Sequence, residues 1–142
     1  MKARSEHETP VMAEAIHEQA GVPKTMAACV AGACIPGLGH ALLCKWDRAL
    51  VFFASISVML LLGISLQGRL FSPAFGDFFP TLKFLAEAGL GLFYWIPYLR
   101  GLGVGDPTAY TYDYANVFIY VAGLLNMLVV VDVFDIALGR KP

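Results

Sequence analysis

Charge is scarce in this sequence and nowhere gathered into a run: 10 Lys and Arg stand against 11 Asp and Glu in 142 residues, for a formal net charge of -1. Without a basic stripe there is no electrostatic footprint for nucleic acid, and no nucleic-acid partner is expected. Cysteine is nearly missing too. Cys29, Cys34 and Cys44 sit at spacings that match neither a zinc pair nor a haem-attachment motif, and an odd count builds no disulfide framework. They read as small residues for helix packing. No nucleophile-base pair and no metal-ligand cluster occurs, so neither a catalytic residue nor a metal site is expected and the chain reads as a non-enzyme. Gly101, Gly103 and Gly105 imitate a phosphate loop, but G-K-[ST] and the strand-to-helix setting are missing.

What the chain has in abundance is apolar sequence: 58% of residues are hydrophobic and 13% aromatic, with a mean hydropathy of +0.65. A spanning helix takes roughly 20 apolar residues. The composition therefore predicts an all-α integral membrane bundle of about four helices, residues 25–142, behind a polar arm, residues 1–24. Glu6, Glu8, Glu14 and Glu18 in the arm argue against a cleavable signal peptide. Thr9 suits an N-cap and Pro10 a first helical position, so "VMAEAIHEQA" reads as a short, weakly amphipathic helix suited to a protein partner, with His7 and His17 solvated. Spans are expected at about 25–44, 48–67, 81–99 and 115–138. The first is broken from Pro36 to His40, and a kinked span or a re-entrant hairpin both fit. "GRLFSPAFGDFFP" reads as a loop lying in the interface, and Tyr94, Trp95, Tyr98, Tyr110, Tyr112 and Tyr114 as a headgroup belt.

A few polar residues stand out inside the apolar runs. Pro36 frees a backbone carbonyl, Gly37 and Gly39 permit dihedrals other residues resist, and His40 can hydrogen-bond the freed groups. The sharper alternative makes His40 an axial ligand of a (bacterio)chlorophyll or haem, with carotenoid or lipid as further ligand classes. Lys83 and Glu87, four apart, are placed to pair within one helix. Asp132 and Asp135 share a face near a helix C-terminus, where the macrodipole disfavours them and a cation should answer: Arg140 or Lys141, or Lys83 and Arg69 across the bundle. Asn126 is expected to bond between helices, and Ala27 with Ala31 and Ala28 with Gly32 allow close helix contact.

"IPGLGH", then "DRALVFF", then "AGLLNMLVVVDVFDIALGRKP" carry a resemblance. Together they resemble a family of small bacterial membrane proteins known as a domain of unknown function. The front half is similar to the two-transmembrane-helix domain, whose glycine-rich turn would fall at Gly37, Gly39 and His40. Asp132, Asp135 and Gly139 match the family's closing stretch. The resemblance implies no reaction, and the chain departs from the pattern at Ala41 to Cys44.

With four spans, Lys2, Arg4, Lys24, Arg69, Lys83, Arg140 and Lys141 share one side and Lys45, Arg48 and Arg100 the other. Seven against three places both termini in the cytoplasm of a bacterial inner membrane, while a re-entrant first run alone would make it six against four. The function expected is a non-catalytic accessory or scaffolding subunit of a larger membrane complex, bioenergetic or photosynthetic, with other membrane subunits and the bilayer as partners. The alternative is a self-assembling channel or transporter using Glu87, Asp132 and Asp135.

Overall fold

Proline and glycine decide where the helices stop. The computed structural model describes residues 9–73 and 76–140, with side chains described from Gly21 onward. His7 therefore lies outside the described residues, as do the side chains of Thr9, Glu14, His17 and Glu18. Among the described residues there are six helices and no strand: Thr9–Cys34 (α1), Leu38–Leu42 (α2), Trp46–Ser65 (α3), Phe78–Ala88 (α4), Leu92–Leu99 (α5) and Tyr112–Ala137 (α6). The short arm helix and the first apolar run are thus one continuous helix, which passes Pro23 without ending. Among the described residues, only α3 and α6 are long and apolar enough to cross a membrane.

The first run is not one continuous helix. α1 stops at Cys34, the chain turns at Pro36 and Gly37, where φ is +81°, and α2 folds back along α1. Gly39 is pressed on Ala28 so closely that a Cβ there would lie 2.6 Å from the Ala28 carbonyl oxygen. Of the expected small-residue pairs, Ala28 and Gly32 therefore make the close contact, whereas Ala27 is exposed.

The third run, expected as one helix over 81–99, breaks as well. α4 ends at Ala88, the chain turns through Gly91 at φ +60°, and α5 begins at Leu92. At about 1.5 Å per residue, neither α4 with 11 residues nor α5 with 8 approaches the roughly 30 Å of α3.

Contacts give the directions. α3 and α6 are antiparallel, since Arg48 reaches Asp132 at one end while Gly63 packs on Ala115 and Ile119 at the other. α1 rises antiparallel to α6, with Gly39 beside Val133 and Gly32 beside Val130. α4 descends parallel to α6, since Gly123 packs on Ala86 and Gly89 on Met127. α5 then climbs back to the end where the Leu70 amide donates to the Gly103 carbonyl. Two helical hairpins thus enter the bundle from opposite ends, and their tips meet: Gly91 of the second lies against the carbonyls of Ala33 and Cys34 of the first.

α6 packs against α1, α3 and α4. Around it Ile56, Leu60, Leu90, Tyr94, Ile119, Ala122 and Val129 form the core. Four helices close with a left-handed residue just past the C-cap. Cys44 follows α2 at φ 59° and Gln67 follows α3 at φ 69°, while α5 and α6 use glycine there, Gly101 at φ 69° and Gly139 at φ 70°.

Candidate functional site: two buried polar centres joined by a central helix

The first centre lies where α2, α3 and α6 meet. Three residues beyond the left-handed Gly37, His40 is fully buried, with its ring 5.1 Å from that of Phe52. Its Nε2–H donates to Asp132 Oδ2 at 3.0 Å. Arg48, one turn into α3, approaches the same oxygen at 3.6 Å. Asp135, one turn on, is met by Arg140 at 3.8 Å. Arg140 was an expected cation for this pair and meets Asp135. His40 and Arg48, which meet Asp132, come from the two elements that α6 meets at this end.

Axial ligation of a (bacterio)chlorophyll or haem needs an imidazole nitrogen facing open space. His40 has none to offer: Nε2 is committed to Asp132, and Nδ1, without a hydrogen-bond partner among the described residues, is buried in a side chain with no exposed surface. The ring does not fit such a group. Nor does His40 satisfy the carbonyl that Pro36 frees. Pro36 lacks the N–H that would reach back four residues to Gly32, and Asn126 answers instead, donating from Nδ2 to the Gly32 carbonyl at 3.3 Å and to the Gly89 carbonyl at 2.8 Å. One amide on α6 therefore ties both hairpin tips.

The second centre surrounds the chain leaving α3. Residues 68–71 form no helix or strand, yet Gly68 and Leu70 are buried, so their backbone groups need partners. The Gly63 and Gly103 carbonyls accept from those two amides, and side chains from three helices hold Arg69 and Phe71 beside them. Arg69 N–H donates to Asn116 Oδ1 at 2.8 Å, Phe71 N–H to Glu87 Oε2 at 2.8 Å, and Tyr94 Oη–H to the Phe71 carbonyl at 2.7 Å. The stretch read from sequence as an interfacial loop thus begins inside the bundle. Tyr94, read as belt, is fully buried.

Lys83 does not close an intrahelical pair with Glu87. Its ammonium lies 4.7 Å over the Phe71 ring. Glu87 is wholly buried, and its Oε1 has no hydrogen-bond partner among the described residues, nor has the Tyr120 hydroxyl, whose ring packs 6.2 Å from Phe71.

Of the residues singled out in the sequence, the fold brings His40 to Asp132, and Lys83 and Glu87 to Phe71. It keeps the Asp132 pair at one end of α6 and Glu87 nearer the other, so the three carboxylates form no common site. Arg48, Tyr94 and Asn116 were missed. The positions of Arg48 and Asn116 one turn into α3 and α6 were the available signal. No group of three or more metal-ligating side chains occurs among the described residues.

The chain belongs to DUF6677, a family of unknown function, whose model matches residues 27–142. No curated protein and no solved structure matches it.

Proposed function

Because membership in that family assigns no activity, we propose a function from the geometry: a membrane-embedded, non-catalytic subunit that serves as a scaffold for other membrane proteins. One observation carries the reading. The outer faces of α3 and α6 are apolar and exposed, as at Leu50, Val51, Leu61, Leu124, Leu128 and Val131, while the polar side chains of the interior are turned on one another and on the hairpin breaks. Such an inside-out distribution suits a hydrocarbon solvent, where irregular backbone survives only when buried in protein. The interior polar groups that are paired are spent on holding the fold, which leaves the outer surface to meet partners.

In this reading α3 and α6 span the bilayer and the hairpins α1–α2 and α4–α5 are re-entrant from opposite faces. The basic residues sort accordingly. Counted by chain order, with the residues before α1 and after α6 taken together with the helix ends they adjoin, seven basic residues (Lys2, Arg4, Lys24, Lys45, Arg48, Arg140 and Lys141) go with the termini and three (Arg69, Lys83 and Arg100) with the other side. That bias favours cytoplasmic termini.

The test is extraction of native membranes in a mild detergent, followed by native-gel sizing and mass spectrometry of the band. A scaffold migrates in an assembly of defined composition. A free monomer would overturn the proposal.

A further inference from the structure

The loop after α5 was set aside in the sequence because its glycines lacked a nucleotide-binding context. In the fold it forms one wall of a pocket of about 390 Å³, lined by Arg69, Ser72, Tyr98 and residues 101–105. Gly101, Gly103 and Gly105 all have positive φ, and the residues between them do not. Gly103 and Gly105 are needed for close approach as well: a Cβ at Gly103 would lie 2.7 Å from Leu70, and one at Gly105 2.8 Å from Arg69 Cβ. The loop is thereby laid along residues 69 and 70, so that its residues and Arg69 border one cavity.

The chemistry of that cavity is one-sided. The amides of Gly101 and Leu102 are spent on the carbonyls of Tyr98 and Pro97, and that of Asp106 on Gln67. The amides of Gly103, Val104 and Gly105 donate to nothing among the described residues. The hydroxyls of Ser72 and Tyr98 are likewise unused there. Arg69 lies 5.7 Å over the Phe71 ring and meets no carboxylate among the described residues. No carboxylate lines the cavity, and Asp106, at the end of the loop, is occupied by the Thr108 amide at 2.9 Å and hydroxyl at 2.7 Å. A cation clear of carboxylates, successive amides of alternating backbone hand and hydroxyl donors are the ingredients of an oxyanion site.

We infer that this pocket binds a phosphate group, through the Arg69 guanidinium, the Ser72 hydroxyl and the amides of residues 103–105. The phosphate has two sources, a phospholipid headgroup or free inorganic phosphate. The lipid source rests on the membrane reading above, and the free anion does not, so their failures are separable.

The purified full chain in dodecyl maltoside, carrying no added phospholipid, is titrated with inorganic phosphate by calorimetry. It is then reconstituted into nanodiscs of phosphatidylcholine with or without phosphatidylglycerol, re-extracted, and examined by native mass spectrometry for retained phospholipid. Arg69→Gln leaves the residue's backbone bond to Asn116 intact and is expected to weaken binding about tenfold, the scale of one charge-assisted hydrogen bond. Ser72→Ala is expected to do so to a lesser degree. Arg100→Gln, outside the pocket wall, should change nothing. Retained phospholipid that Arg69→Gln releases identifies the headgroup as the source, and phosphate heat without retained lipid identifies the free anion. Equal behaviour of Arg69→Gln and the parent, equal loss with Arg100→Gln, or no binding of either probe would overturn the inference.

Discussion

Asn126 carries a neutral amide, yet it holds the two least regular points of the backbone together. The Gly32 carbonyl has lost its helical donor to Pro36, and the Gly89 carbonyl has lost its own because Phe93 N–H turns to Leu90 instead. Replacing Asn126 by Ala leaves both oxygens buried without a donor and should cost about 2 kcal/mol of stability. Asn126→Asp should cost more, because an acceptor then faces two acceptors. Unfolding midpoints in detergent check both, and a midpoint for Asn126→Ala equal to the parent's would remove this role. The bond between helices was legible in the sequence, as an isolated amide in an apolar run with few alternatives. The partners of Asp132 were not. Arg48 sits 84 positions away, and nothing in local spacing says that α2 will deliver a histidine to the same oxygen.

At the scale of elements, the two breaks differ in how openly they are written. Pro36 with Gly37 announces the first. The second rests on Gly89 and Gly91 alone, each costing helix stability only about 1 kcal/mol, which strongly apolar neighbours outweigh in any averaged reading, and so 81–99 reads as one span. The requirement for glycine there is tertiary. A side chain at Gly91 meets the backbone of Ala33 and Cys34, in addition to its left-handed dihedral. Gly91→Ala should therefore abolish the folded state. Gly101→Ala is the control: its φ is also positive at +69°, but a Cβ there meets nothing within 4 Å, so the cost should be about 1 kcal/mol, that of the dihedral. Comparable yields and midpoints for the two variants would show that the hairpin tips do not touch.

For the whole molecule, the membrane reading proposed above differs from the sequence expectation in its number of crossings, two against four. Four spans and two spans with two re-entrant hairpins both return the termini to one side, so locating the termini cannot separate them. The step between α2 and α3 can. Cys44 is exposed, and in the present fold it shares a side with the termini, whereas four spans place it opposite. With Cys29 and Cys34 replaced by Ala, a membrane-impermeant maleimide should label Cys44 from the same face as Arg140→Cys and from the opposite face to Tyr110→Cys. Labelling of Cys44 together with Tyr110→Cys would restore the four-span arrangement. The helical class could be read from the sequence because apolar runs near 20 residues long exceed the length of a strand. Where those runs fold back could not, since a helical hairpin and a straight helix share the same composition over most of their length. The meeting of the two tips also sets an order of events in time. The donor that completes the first hairpin lies 94 residues downstream, so at ordinary rates of synthesis the open end of α1 waits on the order of 5–20 seconds for it. Until the last helix arrives the first hairpin is a half-made object with a bare carbonyl at its tip, and whatever shelters it in that interval is as much a part of its folding as the sequence itself.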